Sequence, residues 1–216
     1  HVCFQYASAS EESLHDISFS INKGQTLGII GATGAGKSTI VNLIPRFYDA
    51  THGIVSIDGI NVKDYTKEDL IKKIGVVPQK AVLFAGSIRD NMKIGNENAT
   101  DEEIWDALQL AQAKEVVEGK DGQLDYMIEQ NGRNMSGGQK QRLTIARAFV
   151  KDPEIIVLDD SASALDFATD AKLRAALQTI HKTTVTVSQR TSSIKHADLI
   201  LVLDDGNLVG KGTHEE

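Results

Sequence analysis

The stretch with the clearest chemistry is Gly31-Ala32-Thr33-Gly34-Ala35-Gly36-Lys37-Ser38-Thr39. Its glycines allow the backbone to curl until successive N–H groups converge on phosphate oxygens. The apolar run Leu27–Ile30 predicts a strand before it, and Ile40, Val41, Leu43 and Ile44 predict a helix after it. That helix would aim the positive end of its dipole at the same phosphates. Lys37 is spaced to reach the β- and γ-phosphates, and the Ser38 hydroxyl to ligate Mg²⁺. A chance glycine-rich turn has no reason to carry both flanks. The segment predicts a nucleoside triphosphate site.

Two further segments suit such a site. Ile155–Asp159 reads as a buried strand ending in a carboxylate, the expected place for a group that holds the magnesium shell. On its own it is a weak signal, since apolar strands often end in Asp at a turn. Met135-Ser136-Gly137-Gly138-Gln139 opens a predicted helix that runs through Leu143, Ala146 and Phe149. Backbone N–H groups, a hydroxyl and a helix dipole facing one way would make a second anion site there.

The elements that must position these residues form a recognisable series. Val2, Phe4 and Tyr6 alternate, as do Ile17, Phe19 and Ile21, which predicts a β-rich start. Asp58-Gly59 after Ile54–Ile57 is a hairpin turn signal. The strand Ile74–Val77 ends at Pro78, which cannot continue a central strand. Thr100 and Glu103 form a capping box for a helix with Ile104, Ala107, Leu108 and Ala111 on one face. Strand Ile155–Asp159, helix Asp166–Ile180, strand Thr184–Ser188 and strand Leu199–Leu203 then alternate. By itself that order predicts an α/β fold with a parallel, doubly wound sheet. Residues 80–146 read as a helical insertion between core segments 1–79 and 147–216.

Composition narrows the function. The 216 residues suit one domain, with 41% hydrophobic residues to fill a core. A net charge of −7 argues against a broad nucleic-acid-binding surface. The single cysteine, Cys3, cannot form an internal disulfide and fits a reducing compartment. No apolar run approaches the ~20 residues of a membrane helix, and no signal peptide is evident. The chain opens mid-strand and stops without a closing signal, so it reads as a piece of a longer protein.

With Gly31–Thr39 and Ser136–Gln139 in place, the sequence resembles the ATP-binding cassette family over essentially its whole length. The family signature reads Leu-Ser-Gly-Gly-Gln, and only its first position departs here, as Met135. The resemblance implies a P-loop NTPase (RecA-like) core with a mixed sheet, an antiparallel β subdomain and an inserted α-helical subdomain. It implies ATP and Mg²⁺ as ligands. It also implies that Ser136, Gly137, Gly138 and Gln139 act in trans on the ATP of a second cassette in a head-to-tail dimer. Tyr6 matches the aromatic that stacks on adenine, with an ordinary strand aromatic as the alternative. Gln79 matches the glutamine that senses magnesium and the attacking water, so Ser38, Gln79 and Asp159 make up the implied metal set. Leu83–Asn91 resembles the exporter segment that touches the membrane domain. Phe84 is the candidate contact, or else a core phenylalanine. Asp166, in Ser163–Asp166, resembles the loop coupling the two ATP sites. Phe47 and Tyr48 are assigned to packing.

Two positions depart where chemistry is concerned. The family usually has glutamate after the magnesium carboxylate, and this chain has Asp160. Aspartate is one methylene, about 1.5 Å, shorter, and a misplacement of roughly 1 Å can cost on the order of a hundredfold in rate. Gln189 stands where the family usually has histidine and carries no positive charge at any pH. Gln130 also departs from the exporter pattern of glutamate. An intact phosphate loop and signature with an altered water-activating pair resembles the degenerate-site subunit of a heterodimeric exporter, at the cytoplasmic face of a membrane. Four other readings stay open. A homodimeric exporter cassette could use Asp160 as a working base, and a regulatory nucleotide-binding module would share the weak site. A soluble chromosome-maintenance ATPase would need a long coiled coil between Lys37 and Ser136, and no heptads occur there. An importer cassette fits Leu83–Asn91 less well.

Overall fold

The computed structural model describes every residue from His1 to Glu216. The chain forms two compact units, residues 1–74 with 182–216 and residues 75–181.

The first unit contains β1 (Val2–Phe4), β2 (Leu14–Ile17), β3 (Thr26–Gly31), α1 (Lys37–Leu43), β4 (Ser56–Ile57), β5 (Ile60–Asn61) and α2 (Lys67–Lys73). The second, entered through β6 (Ile74–Val77), contains β7 (Gly86–Ser87), α3 (Ile88–Lys93), α4 (Asp101–Leu110) and α5 (Lys114–Glu118). It continues with β8 (Met127–Ile128), α6 (Gly137–Val150), β9 (Ile155–Asp159) and α7 (Phe167–Thr179). The chain returns to the first unit with β10 (Thr183–Val187), α8 (Thr191–Ile194), β11 (Leu199–Asp204) and β12 (Asn207–Gly212).

Within the first unit the strand order is β1-β2-β12-β11-β3-β10. β3 lies parallel to both neighbours, with Val187 and Leu201 opposite Ile29. Leu27, Ile29 and Leu201 are fully buried there. A Cβ at Gly28 would come within 2.9 Å of Ile194 Cβ, so glycine lets α8 lie close on the sheet.

The sheet is mixed, as the family resemblance implies; the strand–helix alternation by itself accounts only for its parallel part. β11 and β12 are antiparallel across Asp205-Gly206, whose φ values of 44° and 75° suit a tight hairpin. The predicted turn at Asp58-Gly59 joins β4 to β5 with the same handedness, at φ 52° and 76°. β2 also ends earlier than the alternation of Ile17, Phe19 and Ile21 suggested. Its register against β1 slips between Val2↔Ile17 and Phe4↔Leu14, and Asp16 takes φ 47° as the extra bulged residue. Past Ile17, β1 has no strand residue left to offer it.

The second unit is built on α6, which packs against α3 and α4. Its core includes Ile88, Met92, Ile104, Leu108, Leu143, Ile145 and Ile156, all essentially inaccessible to solvent. The Thr100–Glu103 capping box forms as predicted, and Ile104, Ala107, Leu108 and Ala111 are buried. Short helices α2, α3 and α5 lie beyond periodicity analysis, because five to seven residues span at most two turns. No helix is long and apolar enough to cross a membrane.

Candidate functional site

In the first unit, β3 delivers the chain into the loop Gly31–Gly36. Gly34 (φ 84°) and Gly36 (φ 99°) adopt left-handed backbone that a side chain would disfavour. Gly36 also abuts Leu14, whose Cδ2 would sit 2.7 Å from an added Cβ. Ala32, Thr33 and Gly34 are exposed, whereas Ala35 is buried beneath the loop. Lys37, 9% exposed, folds over the loop and donates from Nζ to Gly31 O and Ala32 O, each at 2.7 Å. Its ammonium therefore sits within the curl that the sequence assigns to phosphates. Ser38 is exposed at the start of α1.

Gln189 lies at the same end of this sheet. β10 runs parallel to β3 with Val187 opposite Ile29, so Gln189 and the phosphate loop leave neighbouring strands at their C-terminal ends. Ser188 N–H donates to Ile29 O at 3.2 Å, and the Gln189 side chain is exposed. Ligands in α/β sheets bind at this end of the strands.

Tyr6 is half-buried beside the loop. Its hydroxyl lies 3.1 Å from Thr39 Oγ1, and its ring packs perpendicular to Phe4 (4.7 Å) and Tyr48 (5.3 Å). The packing assigned to Tyr48 is thus present. Phe47, assigned the same role, is 59% exposed. Tyr48 is itself 46% exposed, and both residues lie in a bend past the end of α1, where no periodicity in the sequence distinguishes them.

In the second unit, β9 ends at Asp159, and Asp160 follows with φ 49°. Both carboxylates are partly accessible. Gln79, exposed after β6, donates from Nε2 to Asp160 Oδ2 at 3.4 Å. The structure therefore brings together two residues that sequence analysis placed in the same chemistry.

Ser136 caps α6. Its Oγ accepts from Gln139 N–H at 3.2 Å, while Gln139 Oε1 accepts from Ser136 N–H at 3.0 Å. Gln139 thus has a structural task within the signature. Gly137 faces open space, and a Cβ on Gly138 would lie 3.4 Å from Ala164 O. Met135, the position departing from the family signature, is 6% exposed and belongs to the core. Leucine and methionine fill such a place almost equally well.

Asp166 caps α7, accepting from Thr169 N–H at 2.8 Å and from the Thr169 hydroxyl at 3.0 Å. These bonds hold its carboxyl below the usual aspartate range. Phe84 is 52% exposed, so the core reading of that residue does not hold. Gln130 opens a short 3₁₀ turn ending at Gly132.

Mg²⁺ prefers oxygen ligands. Gln79 and Asp159 in the second unit offer an amide and a carboxylate on accessible residues, oxygen donors of the kind that ion takes, and in the first unit the Ser38 hydroxyl is on an exposed residue.

Comparison with known proteins agrees with this chemistry. A family model described as ABC transporter matches residues 14–163. An uncharacterized ABC transporter ATP-binding protein, YfiB, of Bacillus subtilis (strain 168) is 47% identical over 216 residues, covering all of this chain and 38% of that protein. A putative multidrug export ATP-binding/permease protein of Staphylococcus aureus (strain NCTC 8325 / PS 47) is 43% identical over 218 residues, again with 100% and 38% coverage. The structure of a bacterial Atm1-family ABC exporter with ATP bound superposes with a TM-score of 0.94 at 37% identity, over 99% of this chain and 38% of that one. The chain thus spans little more than a third of each of these relatives.

Proposed function

We propose, on the premise that this chain belongs to the ABC transporter family, that it is the ATP-binding and ATP-hydrolysing motor domain of an exporter. The observation that carries this reading is the Lys37 ammonium seated over the Gly31–Gly36 loop, which leaves β3 at the same end as Gln189 leaves the neighbouring strand β10.

In this reading the loop N–H groups and Lys37 bind the phosphates, and Thr39 and Tyr6 flank the nucleotide. Ser38, Asp159 and Gln79 would hold Mg²⁺, which when bound neutralises charge on the β- and γ-phosphate oxygens. Asp160 orients the attacking water and Gln189 donates a hydrogen bond toward the γ-phosphate. Residues 1–79 and 147–216 serve as the ATP-binding core and 80–146 as the signature subdomain. Ser136–Gln139 completes the site of a second cassette, Asp166 couples the two sites, and Phe84 meets the protein's own membrane domain at the cytoplasmic face.

Asp160 and Gln189 make this chain's own site the slow one of a heterodimer. A short carboxylate reaches less far, and a neutral amide stabilises the developing phosphate charge less than a cation does. The test is reciprocal. Ser136→Arg in the assembled transporter is expected to damage turnover more than Asp160→Asn, because the signature acts on the faster partner site. Arrest by Asp160→Asn with Ser136→Arg still running would overturn the assignment.

One observation favours the alternative of a fully active homodimeric cassette. Asp160 takes left-handed backbone at φ 49°, a local backbone shift of the kind that can offset a shorter side chain.

A further inference from the structure

Phe84 is exposed, yet its backbone is held from two sides. The buried Asn91, 1% exposed, accepts from Phe84 N–H at 2.9 Å and donates to Phe84 O at 2.9 Å and Ser87 O at 3.0 Å. One side-chain amide thus spends its acceptor and both donor hydrogens on the turn that presents the ring. Leu83, the preceding residue, is 1% exposed and anchors the same turn in the core.

Arg147 approaches from α6. Its Nη2 donates to Val82 O at 2.9 Å, and its guanidinium carbon lies 5.6 Å from the centre of the Phe84 ring. Burial lowers its pKa, and Nη1 is enclosed without a hydrogen-bond partner. A shielded cation with an unused donor is an unfavourable choice for filling space, where Leu or Met would serve. It is a suitable choice for gripping a carbonyl and an aromatic face together.

Arg147 also stands in the last turns of α6, whose first residues are Gly137 and Gly138. The helix is unbroken over its 14 residues, a rod of about 20 Å.

We propose that Asn91 and Arg147 are positioning residues. Asn91 mounts Phe84 on the surface, and Arg147 makes that mount rigid with the helix that begins at the signature. A push on Phe84 is then delivered along α6 to Ser136–Gln139. The inference rests on the reading of Phe84 as the membrane-domain contact.

The test uses the full-length transporter in lipid nanodiscs, with ATP hydrolysis as the readout. Arg147→Met keeps the apolar stem and removes every N–H; it is expected to lower kcat at least fivefold, with KM for Mg·ATP within twofold of the wild type. Arg147→Lys restores a cation and a donor and is expected to recover at least half of the loss, whereas a space-filling role predicts that Met and Lys behave alike. In a Phe84→Ala background, Arg147→Met is expected to change kcat by less than 1.5-fold. Hydrogen exchange of α6 amides, unchanged in the variants, checks that the fold persists. A harmful Phe84→Ala combined with a neutral or fully additive Arg147→Met overturns this inference alone. A neutral Phe84→Ala overturns the docking reading on which it rests.

Discussion

Gln79 Nε2 reaches Asp160 Oδ2 at 3.4 Å, across 81 residues of sequence. That distance is at the long end of hydrogen bonding, so the amide orients the carboxylate only loosely. The pair nevertheless sets the glutamine assigned to magnesium and water beside the carboxylate assigned to water.

The backbone at Asp160 makes the first prediction. At φ 49° asparagine and aspartate are tolerated, whereas a β-branched residue is not. Asp160→Asn is expected to keep stability within about 0.5 kcal/mol, and Asp160→Val to lose roughly 1–3 kcal/mol. Urea denaturation of the chain measures both. Equal stability of the two variants would show that the left-handed backbone imposes nothing.

The same geometry shapes the repair of the site. Asp160→Glu restores reach but places a longer side chain on left-handed backbone, and Gln189→His restores an imidazole beside the phosphate loop. Groups that act as a unit are not additive. For the proposed heterodimer, small single effects and a larger double effect are expected for turnover, measured with the catalytic carboxylate of the second cassette neutralised. Full activity of the unmodified Asp160 and Gln189 in that background would instead favour the homodimer-like reading.

Lys37→Ala is expected to weaken Mg·ATP binding at least a hundredfold, since it removes a charge-assisted contact to phosphate. Two loop carbonyls, Gly31 O and Ala32 O, lose their donor as well. Isothermal titration of the chain with Mg·ATP gives the first effect, and exchange of the loop amides should report the second. Near-normal affinity would remove Lys37 from the site.

Asp166 supplies a pH dependence. Its folded-state pKa is lowered, first by the Thr169 N–H and then by the Thr169 hydroxyl. Its contribution to stability is therefore complete above the ordinary aspartate pKa and is lost as pH falls through the depressed value. The wild type is expected to exceed Asp166→Ala in denaturation midpoint at pH 7, with the gap closing toward pH 3. A gap that stays constant down to pH 3 would mean that the ionised carboxylate is not the group that matters.

Much of the candidate site was legible because it is local. The phosphate loop, the Ser136 cap and the Thr100–Glu103 box each need only residues a few positions apart, so their geometry is already implied by spacing. The core face of α4 was legible for the same reason, through its helical period. The antiparallel return of β12 also left a trace, the Asp205-Gly206 turn, which resembles the Asp58-Gly59 turn.

Other features left none. The sequence by itself determined the Gly31–Lys37 spacing that suits phosphate, and the presence of Asp160 and Gln189. Only the tertiary structure decided that Gln79 touches Asp160, that Tyr48 rather than Phe47 packs on Tyr6, and that Phe84 stands on Asn91 and Arg147. The reason is one of distance along the chain. Arg147 grips Val82 from 65 residues away, and a side chain bonding to a remote main-chain carbonyl selects no particular residue type there. Such contacts exist only once the helices that carry them have packed.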